Sequence, residues 1–197
     1  DDRAATGGAA SAAAPVLPLS AEVRRIAVLG AAADAAPIVH GQGSGLVAPP
    51  YVVSALAGLR ARNARQPRPA SIEYAAGDNS SAAVRAAAAL AAKADLALVV
   101  VGDTASEGKD RPSLKLSGTQ DALVAAVAAA QPRTVVAVAA PGPVLLPWAD
   151  DVAAVLGTGL AGQEAGHALA DVLYGDVNPA GRLPHTMPNR DNETAMG

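Results

Sequence analysis

The chain has 197 residues, with 15 Lys and Arg against 18 Asp and Glu, which gives a formal net charge of −3. This balance provides no broad basic field and argues against nucleic acid as a partner. Cysteine is absent, which excludes disulfides and thiolate metal sites, and no apolar run approaches the ~20 residues that a membrane-spanning helix needs.

The first half of the chain opens on a segment rich in Ala, Gly and Ser, residues 1–15, which we expect to be a flexible lead-in. The first strand is predicted over 24–30, an apolar run that Gly closes. A Gly/Pro-rich loop follows over 31–50 and is too long for an ordinary connection, which makes it a functional-loop candidate. The remaining elements of this half are a helix with Ser54 as its N-cap and a strand, over 53–63 and 70–76.

The second half contains the most apolar predicted strand, 95–102, whose Leu and Val residues indicate a central, buried position. A polar loop over 103–118 leaves its C-terminal end. Gly175 predicts the end of the last helix, because glycine readily adopts the left-handed conformation that closes a helix. The other predicted elements are a helix capped by Ser80 or Ser81 that runs to Lys93, a helix over 119–131, strands over 134–139 and 152–156, and a helix over 163–174.

This alternation of strands and helices predicts an α/β fold, with a mostly parallel sheet of about five or six strands flanked by helices. Ligands of such sheets bind at the carboxyl ends of the strands, where the two long loops begin. The apolar residues are mostly small, since the chain has no Phe, one Trp and three Tyr. Small side chains bury little area, so we expect close backbone approaches and a core of modest stability, or one that another surface covers.

Two loops carry candidate chemistry. The glycine cluster at 41–45 (GQGSG) suggests a phosphate-binding loop, but its spacing fits neither a dinucleotide fingerprint nor a P-loop. Close approach of the backbone to a ligand or to another domain is a better interpretation, and a merely flexible loop is equally consistent with it. The loop at 105–111 (ASEGKDR) places two carboxylates and two cations within five residues. Composition alone favours a salt bridge within this loop.

The histidines give no independent site. Glu164, His167 and Asp171 share one helix face, but a carboxylate-bridged metal site needs a second such helix. We therefore expect a solvated helix face, with no metal and no cofactor. His40 and His185 are isolated, and no Gly-x-Ser-x-Gly elbow is present to make either a triad base.

Five segments, taken in order, resemble one known domain. They are 41–45 (GQGSG), 106–120 (SEGKDRPSLKLSGTQ), 143–148 (PVLLPW), 162–166 (GQEAG) and 170–184 (ADVLYGDVNPAGRLP). In this combination they resemble the second domain of glycoside hydrolase family 3. The resemblance covers 16–188, leaves 189–197 as a tail, and implies an (α/β)6-sandwich domain.

The resemblance also implies a function. In this family a TIM-like (β/α)8 barrel commonly carries an aspartate nucleophile, and the sandwich contributes a glutamate acid/base, which here corresponds to Glu107. Substrate-binding or interface roles are implied for Gly43, Ser44, Ser106, Asp110 and Arg111. The implied substrate is a β-glucoside or oligosaccharide, and the implied partner is the barrel, as a domain or as a separate chain. The implied location is secreted or periplasmic rather than cytoplasmic, although no signal peptide is recognisable in this chain. Because retaining hydrolysis needs two carboxyl groups ~5 Å apart, we expect the isolated chain to be inactive.

Other interpretations stay open. The chain departs from the family pattern at Pro141, Gly157, Ala161, His185 and Met187. These departures are also consistent with a non-catalytic sugar-binding or assembly module derived from the domain. A nucleotide-binding flavodoxin-like domain is a third interpretation, since the sequence does not reveal the strand order. Without a barrel we expect the acid/base candidate to be exposed, with a near-ordinary pKa that the cations of its own loop influence only weakly.

Overall fold

Five parallel strands form the central sheet. They are β1 (Arg25–Leu29), β2 (Ser71–Ala75), β3 (Leu96–Gly102), β4 (Thr134–Ala139) and β5 (Ala154–Gly157). In the computed structural model, which describes residues 15–77, 79–191 and 193, their order is β2-β1-β3-β4-β5. The predicted fold class, α/β with a mostly parallel sheet of about five or six strands, is confirmed.

Four helices cover the two faces of this sheet: α1 (Ala55–Asn63), α2 (Ser81–Ala91), α3 (Gln120–Ala130) and α4 (Ala165–Tyr174). Successive side chains of a strand point to opposite faces. Leu96, Leu98 and Val100 of β3 accordingly pack with α1 and α4, whereas the alternate residues Ala97 and Val99 pack with α2 and α3. Both faces of β3 and β4 are buried, which explains why their sequences are continuously apolar.

The helix ends follow the predicted capping residues. The Ser54 hydroxyl accepts a hydrogen bond from the Ala57 amide at 3.1 Å, and the Ser80 hydroxyl accepts one from the Ala83 amide at 3.2 Å. Each therefore satisfies a backbone N–H that has no partner within its helix. Gly175 ends α4 in the left-handed conformation, with a φ of 77°.

Helices α1 and α4 approach each other closely through two glycines. A Cβ built on Gly58 would lie 2.1 Å from the carbonyl oxygen of Gly166, and one built on Gly166 would lie 2.0 Å from that of Ser54. Any side chain at either position would therefore force the helices apart. These contacts are the close backbone approaches that the alanine-rich composition led us to expect.

The connection from β4 to β5 contains no α-helix, in agreement with the predicted elements, which place none between 139 and 152. Residues 140–153 cover the α2 and α3 face of the sheet instead, with Val144, Leu146 and Trp148 buried. The Trp148 indole N–H donates to Asp121 Oδ1 at 2.9 Å, which fixes this segment to the start of α3. Apolar residues of this loop thus cover the sheet, as the crossover helices do between the other strands.

The ends of the chain lie largely outside the described residues. This applies to nearly all of the predicted lead-in, 1–15, and to five of the nine residues of the predicted tail, 189–197. Within the described part, no helix combines the length and apolar character required to cross a bilayer.

Candidate functional site

The two long loops meet at the carboxyl edge of the sheet. Strands β1 and β3 are neighbours, so the loops that follow them leave the sheet side by side. The Gln42 amide donates to the Ala105 carbonyl at 3.0 Å, and the Glu107 amide donates to the Gln42 carbonyl at 3.3 Å. Gln42 and Ser106 therefore form a short parallel bridge, which continues the pairing of the two strands beyond the sheet. The expected location of both loops on one edge agrees with this geometry.

The Glu107 carboxylate is bound by Ser44 across this bridge. The Ser44 amide donates to Glu107 Oε2 at 2.8 Å, and the Ser44 hydroxyl donates to the same oxygen. Glu107 itself lies on an exposed turn, in which the Lys109 amide donates to the Ser106 carbonyl at 3.2 Å. The structure thus brings Ser44 and Ser106 together with Glu107, as members of one small cluster.

Gly43 permits this contact. Its φ is 98°, and a Cβ at this position would lie 2.5 Å from the Glu107 Cβ and 3.1 Å from Glu107 Oε2. A residue with a side chain would be strained by the backbone conformation and would also collide with Glu107. At Gly43 the close approach is to a loop of the same domain, the one that carries Glu107, whereas the expected approach to a ligand or to another domain stays a prediction.

The electrostatics of Glu107 differ from the expectation. The Ser44 hydroxyl, and after it the Ser44 backbone amide, lower the pKa of Glu107, against a small opposing effect of desolvation. The expectation of a near-ordinary pKa is therefore wrong. It considered only the cations of the same loop, yet no residue in the described ranges forms an ion pair with Glu107. The salt bridge that composition favoured within the loop at 105–111 is therefore not made by Glu107.

Arg111 and Asp110 lie beside this cluster in different surroundings. Arg111 Nη2 donates to the Pro143 carbonyl, and Nη1 is buried with no hydrogen-bond partner among the described residues. Asp110 is exposed, and together with Arg111 and Lys109 it borders an open groove of about 620 Å³ that continues along the loop after β3. Of the predicted site residues, Gly43, Ser44 and Ser106 contact Glu107 or its turn, whereas Arg111 binds the 140–153 segment.

Gln120 fixes the end of β3, from which the Glu107 loop departs. Its side chain is buried, with Oε1 accepting from the Gly102 amide at 2.8 Å. Its Nε2 donates to the Gly102 carbonyl at 3.0 Å and to the Ser117 carbonyl at 3.1 Å. One side chain at the start of α3 therefore holds both ends of the loop.

A second polar cluster on this edge was only half predicted. Glu164 Oε2 lies 2.6 Å from His167 Nδ1, which agrees with the shared helix face. Tyr51 Oη also donates to Glu164 Oε1 at 2.5 Å. These hydrogen bonds, that of Tyr51 first, lower the pKa of Glu164. No local pattern pointed to Tyr51, because 113 residues separate it from Glu164. No group of three or more His, Asp or Glu in the described ranges could hold a metal ion.

Comparison with known proteins decides the family. The family described as glycosyl hydrolase family 3 C-terminal domain matches residues 13–196. The chain belongs to this family. The resemblance carried by the five segments is thereby confirmed, and the five-stranded parallel sheet with four helices is the family 3 C-terminal domain of this chain.

Relatives of this family 3 domain include enzymes named β-glucosidases. A β-glucosidase of Rhizobium radiobacter is 46% identical over 110 residues, which cover 54% of this chain and 13% of the relative. Beta-glucosidase B of Emericella nidulans is 49% identical over 104 residues, which cover 50% of this chain and 12% of the relative. The chain thus corresponds to a small part of each of these relatives.

Solved structures agree with the sequence relatives. A family 3 β-glucosidase from Neurospora crassa superposes with a TM-score of 0.79 at 32% identity, covering 89% of this chain and 23% of the other. A family 3 β-glucosidase from Bifidobacterium adolescentis gives a TM-score of 0.75 at 33% identity, covering 88% of this chain and 26% of the other. About three quarters of each of these enzymes therefore lies outside the part that this domain matches.

Proposed function

We propose that this family 3 domain bears the acid/base residue of a β-glycosidase that hydrolyses terminal β-glucosidic bonds. In this proposal Glu107 is the acid/base, and the aspartate nucleophile lies on a (β/α)8 barrel outside this chain. The substrate is a β-glucoside or oligosaccharide, and the enzyme is secreted or periplasmic. Retaining hydrolysis requires two carboxyl groups ~5 Å apart, one to protonate the leaving oxygen and one to attack the sugar.

The position of Glu107 is the observation that carries this proposal. Glu107 is exposed on a turn at the carboxyl edge of two adjacent parallel strands, which is where sheets of this kind bind their ligands. Its carboxyl can therefore be reached by a second protein surface that approaches this edge. A groove of about 620 Å³ is lined by Ser106 and Lys109, which flank Glu107 in the same loop, and it provides space for a sugar at this edge.

The loop that carries Gly43 and Ser44 supports a partner surface at this edge. Directly after it, the apolar side chains of Leu46, Val47 and Val52 are exposed to 49%, 72% and 40%. Apolar side chains grouped along one loop are typical of surfaces that another domain covers. The β-glucosidases similar to this chain contain much additional sequence, in keeping with a barrel as the covering domain.

The leaving-group dependence of an enzyme assembled from this chain and a family 3 barrel tests the proposal. Glu107→Ala is expected to slow a β-glucoside with a poor leaving group by about 100-fold or more, which is the usual contribution of a general acid. A dinitrophenyl glucoside should be slowed far less, because its leaving group departs without a proton. Added azide should then restore part of the rate by attacking the glycosyl intermediate.

Glu73→Ala is the matched control, because Glu73 is an exposed glutamate within the edge strand β2, which β1 separates from β3. It should leave the rates with both substrates unchanged. If Glu107→Ala slows both substrates equally and azide has no effect, Glu107 is not the acid/base. Binding of β-glucosides without any Glu107-dependent turnover would instead support the non-catalytic sugar-binding module.

A further inference from the structure

The contact between Ser44 and Glu107 opposes the state that an acid catalyst needs. Two donors, the amide and the hydroxyl of Ser44, share the single oxygen Oε2 of Glu107. We propose that Ser44 is a positioning residue, which holds the Glu107 carboxylate in a closed, ionised state that must open before Glu107 donates a proton. This inference rests on the proposed role of Glu107 as the acid/base.

The hydrogen-bond chemistry gives the direction of the effect. Both Ser44 groups donate, so they stabilise an acceptor that carries negative charge and disfavour a proton on the same oxygen. The lowered pKa of Glu107, which has these two donors as its main causes, is consistent with this reasoning. A retaining enzyme uses its acid/base first as a proton donor and then as a base that activates water. The closed state supplies the ionised carboxylate that the second step needs, and it obstructs the proton donation of the first step.

The turn around Ser44 has room to open. A Cβ built on Gly45 would have no atom within 4 Å, so the segment that follows Ser44 is not packed against the domain. The next two residues, Leu46 and Val47, are apolar, and both side chains are exposed. A barrel surface that contacts Leu46 and Val47 would therefore act directly on the turn that holds Glu107.

Titration of Glu107 in the 197-residue chain tests the inference without any partner. The carboxyl carbon of Glu107 is followed by NMR in glutamate-labelled protein, with its signal assigned from the spectrum of Glu107→Gln. Ser44→Ala is expected to move the titration midpoint upwards, because the hydroxyl donor is removed. Ser44→Thr retains a hydroxyl and should titrate close to wild type.

Ser106→Ala is the matched control, because the Ser106 hydroxyl belongs to the same cluster but donates to the backbone carbonyl of Glu107, at 3.4 Å. It should leave the midpoint unchanged. An unchanged midpoint in Ser44→Ala, or an equal shift in Ser106→Ala, would overturn the inference. Neither result depends on turnover, so failure of the Ser44 inference is distinguishable from failure of the acid/base role, which the leaving-group experiment measures separately.

Discussion

Replacing Gln120 by Ala is expected to destabilise the domain at the point where the Glu107 loop leaves the sheet. The Gln120 side chain makes three hydrogen bonds to backbone groups of Gly102 and Ser117, at 2.8, 3.0 and 3.1 Å. Gln120 is only 8% exposed, so these backbone groups lie in a region with little access to water. Truncation of the side chain would leave one N–H and two carbonyls without this partner.

The magnitude follows from the cost of leaving buried polar groups unpaired, which is about 1–3 kcal/mol for each group. The lower end applies here, because removal of the amide leaves space that a water molecule can enter. The expected loss for Gln120→Ala is thus about 3 kcal/mol. At about 2–4 °C per kcal/mol for a domain of this size, Tm should fall by about 6–12 °C.

Urea unfolding measures this loss directly. Trp148 is the only tryptophan and is 2% exposed, so its fluorescence reports unfolding of the core. Gln66→Ala is the matched control, since the Gln66 side chain makes no hydrogen bond to the described residues, and it should cost at most about 0.5 kcal/mol. A loss below about 1 kcal/mol for Gln120→Ala, or a loss equal to that of the control, would refute the reasoning.

Two further predictions concern the contact between Gly43 and Glu107 and the free energy of unfolding at acidic pH. Gly43→Ala should speed amide exchange at Glu107, because its Cβ would lie 2.5 Å from the Glu107 Cβ, whereas Gly45→Ala should leave that exchange rate at its wild-type value. The Arg24 backbone amide is the main cause of the lowered pKa of Asp95, so this carboxylate stabilises the domain above its unfolded pKa of about 3.9 and ceases to do so as the pH falls through the folded value. The difference in unfolding free energy between wild type and Asp95→Asn should therefore shrink in urea titrations at decreasing pH below about 4, and a constant difference would contradict this.

The buried strands could be predicted because their burial determines the composition of a short, continuous segment of sequence. The predicted strands at 95–102 and 134–139 agree with Leu96–Gly102 and Thr134–Ala139, since a strand with both faces covered is apolar throughout. The absence of a helix between β4 and β5 was also predicted, but the packing of this connection was not. Its apolar residues cover the sheet as a loop, and local composition does not indicate which face of the sheet they cover.

The location of the candidate loops was predictable, but the contacts between them were not. The polar residues after the most buried strand indicated where Glu107 lies, because loops at carboxyl ends face the ligand side of a parallel sheet. Its electrostatics were not predictable, since Ser44 is 63 residues away in the chain. Arg111, which is near Glu107 in sequence, donates instead to the Pro143 carbonyl. Sequence proximity therefore suggested the wrong electrostatic neighbours.

The strand order β2-β1-β3-β4-β5 is also that of flavodoxin-like nucleotide-binding domains, so the order itself does not separate a phosphate site from a sugar site. The chemistry of the edge between β1 and β3 does separate them. A phosphate site there uses free backbone amides at the start of a helix that follows β1 directly. Here only a single 3₁₀ turn, Ala31–Ala33, follows β1 directly and α1 begins only at Ala55, while the Ser44 amide is already bound to a carboxylate. An anionic ligand would be repelled by Glu107, whereas a neutral glycoside would not, and the proposed acid/base role requires a carboxyl group at this edge.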